Sequence, residues 1–315
     1  MRVVFMGTPD FSVGVLEEII RAGHEVVLAV TQPDKPKGRG NAMQFPPVKE
    51  CALSHGIEVF QPKKIREDAN VEYLKKFDAD IFIVVAFGQI LTKNILDMPK
   101  YGCVNVHASL LPKYRGAAPI QWAVINGDAI TGVTTMRMDT GIDTGDMIAK
   151  REVRIAEDET GGSLFDKLAE EGAALLIRTL PSIADGTAVY TKQPEESPTP
   201  YAAMISKKMG LMDFSKSAVE LERLVRGLNP WPSAYTFLNG KTLKVWKCAV
   251  ERAECGKEAP GTIIGVDKSG IHVACGSDTL ILKEVQLEGK KRMETDAFLR
   301  GYQVTAGTML KDHKE

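Results

Sequence analysis

Three polar side chains near the middle of the chain have types and a spacing suited to acyl transfer. Asn105 and His107 flank Val106 near the end of a predicted strand, and Asp143 lies in a Gly-Ile-Asp-Thr-Gly-Asp segment 36 residues after the histidine. Because side chains alternate along a strand, Asn105 and His107 share one face. Asn105 and a protonated His107 are able to stabilise an oxyanion, while Asp143 orients the imidazole and accepts protons through water. A histidine near a strand end is more often structural, so spacing alone leaves both interpretations open.

The motifs of several other enzyme classes are missing from the sequence. It contains no GxSxG, HExxH or GxxxxGK[ST] segment, and residues 6–9, where a dinucleotide-binding loop would stand, lack GxGxxG. A dehydrogenase is therefore disfavoured. The five cysteines are odd in number and include no CxxC pair, which favours neither a disulfide framework nor a zinc knuckle. We expect no metal, and a reducing cytoplasm as the compartment.

The length and composition suggest two globular domains. The chain has 315 residues, 44% of them hydrophobic and 26% charged, and a domain takes roughly 150 residues. The longest apolar runs have the length of a strand, and the first residues lack an apolar signal region. We therefore expect neither export nor a membrane anchor.

Alternating strands and helices position the three polar residues. Strands are predicted over residues 2–6, 25–30 and 80–86, and helices over residues 11–22, 47–54, 70–77 and 162–184. This alternation predicts a Rossmann-like parallel sheet with helices on both faces. Ligands of such sheets bind at the carboxyl ends of the strands, which directs attention to residues 7–10, residues 87–91 and the residues after Val106.

The composition changes after the long predicted helix. Residues 185–201 contain three prolines among Glu, Ser and Thr, which is typical of an extended linker. A helix over residues 218–228 is followed by short strands, with Asn239-Gly240 as the strongest hairpin signal. The sequence thus predicts an α/β catalytic domain over residues 1–188, a linker over residues 189–206 and a small domain of mostly antiparallel strands over residues 207–315. This last domain is a barrel or a sandwich, and we expect an OB-like β-barrel.

A segment around the asparagine and histidine resembles the hallmark of the folate-dependent formyltransferases. It is residues 105–116, Asn-Val-His-Ala-Ser-Leu-Leu-Pro-Lys-Tyr-Arg-Gly. The resemblance covers essentially the whole chain and is specific: FMGTPDF at 5–11, TQPDKPKGRG at 31–40, VVAFGQIL at 84–91, GAAPIQWAVINGD at 116–128, MDTGIDTGDM at 138–147 and LNPWPSAY at 228–235. In order and spacing these segments are similar to the family members that formylate methionyl-tRNA.

The resemblance implies formyl transfer from 10-formyltetrahydrofolate to the α-amine of methionyl initiator tRNA, giving the formylated tRNA for translation initiation. It also implies that Asn105, His107 and Asp143 are the catalytic residues. The expected folate-binding residues are the matched run Ser109, Leu110, Leu111 and Pro112, the strand-end residues Phe87, Gly88, Gln89, Ile90 and Leu91, and Gly141. An apolar slot edged by backbone groups suits a flat pterin.

Two basic segments are candidates for tRNA binding. Residues 31–49 are long for a connection between a strand and a helix and carry Lys35, Lys37 and Arg39. The resemblance assigns this insertion to the tRNA acceptor end, and mobile cations suit phosphate contact. Lys207 and Lys208 are the second candidate; lysine doublets are usually only solvated. We expect Trp231 to pack as an anchor rather than to stack on a base.

The last third of the chain carries a small excess of positive charge. Residues 206–315 carry 18 basic and 14 acidic residues, whereas the preceding part has an acidic excess. This is a weak indication of a polyanionic partner.

Two alternative functions stay open. One is a formyltransferase that acts on an aminosugar nucleotide or hydrolyses its donor; the other is a noncatalytic RNA-binding protein. We expect a monomer that has the folate donor and methionyl initiator tRNA as partners, and no contact with a membrane.

Overall fold

The computed structural model describes residues 1–37, 42–252 and 258–314. The chain forms two compact units. The first comprises Met1–Pro119, Ile130–Arg154 and Phe165–Ala202, and the second comprises Ile120–Ala129, Ile155–Leu164 and Ala203–Glu315. Residues 186–202, which follow the long helix, are therefore part of the first unit.

The first 185 residues mostly alternate strands and helices, as the hydrophobic pattern predicts, with β3–β4 and β8–β9 as strand pairs without a helix between them. In chain order its elements are β1 (Arg2–Gly7), α1 (Asp10–Arg21), β2 (Glu25–Val30), β3 (Lys35–Lys37), β4 (Ala42–Gln44), α2 (Pro47–Ser54), β5 (Val59–Phe60), α3 (Asp68–Lys75), β6 (Ile81–Val85), α4 (Lys93–Leu96), β7 (Cys103–His107), α5 (Pro119–Asn126), β8 (Ile130–Arg137), β9 (Met147–Arg154) and α6 (Gly161–Asp185). Helix α2 spans the predicted residues, since Pro47 fits the first helical turn.

Seven strands form the main sheet of the first unit, in the order β5-β2-β1-β6-β7-β8-β9. The strands from β5 to β7 are parallel to their neighbours, whereas β8 pairs antiparallel with β7 and with β9. The expectation of a parallel sheet thus holds for five strands. No helix separates β8 from β9, and a direct connection joins antiparallel strands.

Apolar strands in the centre of this sheet supply the core of the first unit. All five residues of β6 are buried, as expected for a strand covered on both faces. Helix α1 buries Phe11, Val15, Leu16 and Ile19 on one stripe, and the Phe11 ring meets that of Phe165 edge to face at 5.2 Å. Within the described residues, no helix is both long and apolar enough to cross a bilayer.

The second unit is rich in antiparallel strands. Its elements include a 3-10 helix (Lys207–Gly210), α7 (Ala218–Gly227), β10 (Ala234–Leu238), β11 (Lys241–Glu251), β12 (Ile263–Asp267), β13 (Gly270–Ala274), β14 (Thr279–Leu287), β15 (Met293–Glu294) and α8 (Thr295–Gly301). The sheet order is β10-β11-β14-β13-β12, with β15 beside β14. Asn239 and Gly240 have φ values of +47° and +72° and make the predicted turn between β10 and β11. The expected antiparallel architecture is confirmed.

Candidate active site

The asparagine, histidine and aspartate come together at the end of β7. Asn105 and His107 project from the same face of this strand, as the alternation predicts. The Asp143 carboxylate faces both of them, with Oδ1 3.4 Å from Asn105 Nδ2 and Oδ2 3.7 Å from His107 Nδ1. The side chain of His107 is only 7% exposed and that of Asp143 16%. The Asp143 carboxylate therefore faces both the Asn105 amide and the His107 imidazole at a position largely shielded from solvent.

The second ring nitrogen of His107 fixes the orientation of the imidazole. His107 Nε2 lies 3.0 Å from the main-chain oxygen of Tyr114. A carbonyl oxygen only accepts hydrogen bonds, so Nε2 carries a hydrogen. The opposite nitrogen, Nδ1, faces the Asp143 carboxylate. A main-chain oxygen and a carboxylate oxygen thus face the two nitrogens of this ring.

Asp143 reaches His107 only because its loop turns back along β7. Arg137, the last residue of β8, pairs with Val104, which lies near the start of β7. The following loop therefore returns towards the histidine, and Asp143 adopts a left-handed φ of +53° there. A Cβ atom at Gly145 would lie 1.9 Å from the Arg137 oxygen, so only glycine fits this close return. Gly116 N–H donates to Asp143 Oδ2 at 2.9 Å and secures the carboxylate.

Two residues without an expected role in the site hold this loop. Gln193 donates from Nε2 to the main-chain oxygens of Asp143 and Gly145, at 2.9 Å and 2.7 Å. The buried Arg115 donates from Nε to Gln193 Oε1 at 3.0 Å, and its other two nitrogens donate to the main-chain oxygens of Glu195 and Pro194. The segment that the composition suggested as an extended linker thus contributes directly to the surroundings of Asp143. The signal that could have identified Arg115 is its position within the segment 105–116 that also contains His107; Gln193 has no such signal.

The run from Ser109 to Pro112 lies beside His107 and is fixed by its own hydrogen bonds. Ser109 Oγ donates to the Lys113 oxygen at 2.6 Å, and Leu111 N–H donates to Thr134 Oγ1 at 3.1 Å. Leu111 is fully buried and packs with Met136 and Met147, while Leu110 and Pro112 are half-buried. Two of the four expected folate-binding side chains therefore keep exposed apolar surface.

The residues after β6 differ in their accessibility. Phe87 belongs to the core and Leu91 is also buried, whereas Gly88 is exposed and Ile90 is 68% exposed. The side chain of Gln89 is occupied within the protein, since Oε1 accepts from Ile65 N–H at 2.7 Å and Nε2 donates to the Pro62 oxygen at 3.0 Å. Gly141, in the loop of Asp143, is exposed and donates its N–H to Asp139 Oδ1 at 3.0 Å.

An ion pair between Asp34 and Lys49 joins the two ends of the basic insertion. Lys49 Nζ donates to both carboxylate oxygens of Asp34, at 2.9 Å and 2.7 Å, and lies 3.8 Å from the centre of the Phe45 ring. Gln61 Nε2 also donates to Asp34 Oδ1 at 2.7 Å. The hydrogen bond from Lys49 is the main reason that the pKa of the Asp34 carboxyl falls below its usual value. An aspartate held this way fixes where the insertion leaves the sheet.

The candidate tRNA-binding cations lie in different settings. Lys35 is exposed at the start of β3, and Lys37 is the last residue of that strand. Arg39 lies outside the described residues. Lys207 and Lys208 are exposed at the start of the second unit's 3-10 helix. Trp231 is 55% exposed, so the expectation that it packs as an anchor is wrong; it stands between two prolines in a turn that leaves its ring in solvent.

Comparison with known proteins identifies the family. Residues 1–180 match the family described as formyl transferase, and residues 204–303 match its C-terminal domain. The chain is 69% identical over 308 residues to the methionyl-tRNA formyltransferase of Agathobacter rectalis, covering 98% of this chain and 99% of that protein. The chain belongs to the methionyl-tRNA formyltransferase family. Another member of this family, from Geobacter sulfurreducens, is 49% identical over 310 residues, covering 98% of this chain and 96% of that protein.

Two solved structures of other proteins share the fold of this methionyl-tRNA formyltransferase family member. WlaRD, a sugar 3N-formyl transferase crystallised with dTDP and 5-N-formyl-THF, matches with a TM-score of 0.66 and 19% identity, covering 92% of this chain and 99% of that chain. HypX from Aquifex aeolicus, in complex with tetrahydrofolic acid, matches with a TM-score of 0.63 and 16% identity, covering 95% of this chain and 47% of that chain. At these identities the likeness establishes the fold only.

Proposed function

We propose that this chain transfers the formyl group of 10-formyltetrahydrofolate to the α-amine of methionyl initiator tRNA, and so supplies the formylated tRNA for translation initiation. Relatives at 69% and 49% identity are methionyl-tRNA formyltransferases, which supports the reaction. The observation that carries the proposal is the single Asp143 carboxylate facing both Asn105 and His107. A histidine with only a packing role would not require this pair of neighbours.

The reaction needs no covalent bond to the enzyme. The neutral α-amine attacks the formyl carbon, and the carbonyl electron pair moves onto oxygen as the new C–N bond forms. The nitrogen then loses a proton, the oxyanion collapses, and the bond between the formyl carbon and folate N10 breaks as N10 takes up a proton. What remains for the protein is to align the two substrates and to stabilise the oxyanion.

The three residues have different roles in this step. Asn105 has two amide hydrogens, of which one points to Asp143, so the other is available to donate to the oxyanion. His107, charged as an imidazolium, stabilises the same negative charge. Asp143 stabilises the imidazolium and accepts the proton from the amine through water.

The folate donor is assigned to the three segments around these residues. Leu110, Pro112 and Ile90 supply apolar surface for the pterin, and the buried Phe87 and Leu111 hold the backbone that supplies its polar contacts. Gly141 adds exposed backbone from the loop of Asp143. A tetrahydrofolic acid complex of the similarly folded HypX supports a folate in this fold.

The tRNA is assigned to the two basic segments. Lys35, Lys37 and Arg39 in the insertion contact phosphates of the acceptor end, and Lys207 and Lys208 contact phosphates from the second unit. The first unit thus carries the catalytic residues together with the acceptor-end contacts, and the second unit is a further tRNA-binding domain. We assign an OB-like barrel to the second unit's six strands. The enzyme acts as a monomer in the cytoplasm, where initiator tRNA is formylated.

A comparison of three acceptor substrates tests the proposal. The purified full chain is given 10-formyltetrahydrofolate together with methionyl initiator tRNA, free methionine or an aminosugar nucleotide, and formylated product is measured for each acceptor. We expect product with the tRNA and little with the other two, because only the tRNA engages the basic segments. Faster transfer to the aminosugar nucleotide would overturn the acceptor assignment, and no transfer to any acceptor would overturn the enzyme assignment.

A further inference from the structure

A cluster of three side chains on α1 and α2 has the composition of a metal site and takes no part in the proposed reaction. Glu17 lies on α1, Cys51 lies on α2, and His55 caps the C-terminal end of α2. One potential ligand atom from each of the three lies within 4.8 Å of the other two. Cys51 and His55 are four residues apart, which sets both on the same side of the helix.

The three donor atoms suit zinc. Thiolate, imidazole and carboxylate are the ligands of Zn²⁺ in proteins, at about 2.3 Å, 2.0–2.1 Å and 2.0–2.2 Å respectively. Donor atoms around a tetrahedral ion with these bond lengths are about 3.3–3.8 Å apart, so a shift of roughly 1 Å converts the cluster into a site. Glu17 and His55 are exposed and free to make this adjustment. A water molecule completes the fourth position.

No internal interaction competes for these donor atoms. Within the described part of the chain, the side chains of Glu17, Cys51 and His55 have no hydrogen bond or ion pair. Burial, followed by the nearby Glu17 carboxylate, raises the pKa of the half-buried Cys51 thiol. Binding of an ion to the thiolate releases the thiol proton into solvent.

We propose that Glu17, Cys51 and His55 bind one Zn²⁺ ion, which clips α1 to α2. Helix α2 begins within the last residues of the basic insertion, and Val48 N–H in its first turn donates to the Thr8 oxygen after β1 at 3.4 Å. The ion adds a further contact at the other end of α2, to Glu17 of α1. Because the folded chain brings the ligands together and the unfolded chain does not, the ion stabilises the first unit.

The binding experiment uses the full chain after treatment with a chelator. Zn²⁺ is titrated in competition with a chromophoric chelator, and Co²⁺ serves as a spectroscopic probe because its bond to a thiolate absorbs in the near ultraviolet. We expect one Zn²⁺ per chain with a Kd well below about 1 mM. Zn²⁺ at 100 times its Kd should raise Tm by about 4 °C or more. It should also protect Cys51 from iodoacetamide, as read by mass spectrometry of the peptide.

Variants distinguish this site from adventitious binding. Cys51→Ala should remove the cobalt–thiolate band, His55→Ala should raise the Kd for Zn²⁺ at least about tenfold, and Glu17→Gln should raise it while keeping the band. His313→Ala is the matched control, because His313 lies beside a carboxylate, Asp312, without a thiol. Circular dichroism verifies that each variant is folded. Unchanged Zn²⁺ binding in Cys51→Ala and His55→Ala, or a wild-type Kd above about 1 mM, would overturn the proposal.

Discussion

The side-chain amide of Gln193 donates to the main-chain oxygen of Asp143 at 2.9 Å. The orientation of this amide is not arbitrary, because Arg115 Nε donates to its oxygen at 3.0 Å and a guanidinium has no acceptor. The nitrogen must therefore point at the Asp143 loop. The position of the Asp143 carboxylate thus depends on a chain of hydrogen bonds that begins at Arg115, in the same 105–116 segment as His107.

Removing the amide should slow the reaction without weakening substrate binding. We predict that Gln193→Ala lowers kcat by about 10- to 100-fold, because a small displacement of Asp143 costs up to this factor. The KM values for the folate and for the tRNA should stay close to those of the wild type. Gln193→Glu, which keeps the size but loses the donor, should behave like Gln193→Ala. Steady-state kinetics on both substrates measure the effect, with Gln303→Ala as the control for an exposed amide; raised KM values at normal kcat would contradict the positioning role.

Removing the charge of Asp143 should reduce turnover more strongly. We predict that Asp143→Asn lowers the formyl-transfer rate by about 10²- to 10⁴-fold, because the proton acceptor and the partner of the imidazolium are both lost. His107→Ala should fall in the same range, and Asn105→Ala should cost about 10²- to 10³-fold as the loss of one oxyanion donor. Thermal unfolding of each variant monitors the fold.

Asp146→Asn is the matched control for Asp143→Asn. Asp146 lies in the same loop, and its carboxylate has no hydrogen bond or ion pair within the described residues. Its replacement should leave turnover nearly unchanged. If Asp143→Asn and Asp146→Asn were equally active and equally stable, Asp143 would have no part in the mechanism.

Removing the Asp34–Lys49 ion pair should weaken tRNA binding and leave folate binding unchanged. We predict that Lys49→Ala raises the KM for methionyl-tRNA by about tenfold, the effect of about 1.4 kcal/mol of additional ordering free energy. The Asp34–Lys49 pair is 20% and 14% exposed, so water replaces the lost contact poorly. The control is Lys93→Ala, whose pair with Asp97 is exposed and contributes little. Direct folate titration completes the test, and a large loss of folate affinity would reassign the insertion.

The lysine doublet of the second unit should be visible in the salt dependence of tRNA binding. We predict that replacing Lys207 and Lys208 by alanine flattens the log-log slope of affinity against salt by about 1.4 to 1.8, because each phosphate contact contributes roughly 0.7 to 0.9. Replacing Lys75 and Lys76, another lysine doublet, should leave the slope unchanged. Affinities measured across a salt series provide the slopes. Equal slopes for wild type and the Lys207 and Lys208 variant would exclude these lysines as phosphate contacts.

Local signals predicted much of the fold. Pro47 in a first helical turn indicated the start of α2, and Asn239-Gly240 indicated the turn between β10 and β11, since both signals act within a few residues. Alternation along β7 likewise predicted the common face of Asn105 and His107. Each of these inferences depends on backbone geometry that neighbouring residues determine.

The contacts between distant segments could not be predicted in this way. The return of the Asp143 loop depends on the antiparallel register of Arg137 with Val104, which no periodicity encodes. The contact between Gln193 and Asp143 joins residues 50 apart, whereas the proline-rich composition suggested an extended linker. Composition reports that a segment forms no regular element, but it does not report what its side chains bind.

The chain of hydrogen bonds from Arg115 through Gln193 to Asp143 also sets an order of events during synthesis. Arg115 is made 78 residues before Gln193, and Asp143 50 residues before it. At a translation rate of about 5–20 residues per second, Asp143 is added to the chain roughly 3–10 s before Gln193, whose amide holds the Asp143 loop. An enzyme that prepares the first amino acid of new proteins thus acquires its own support for Asp143 only after more than half of its chain has been made.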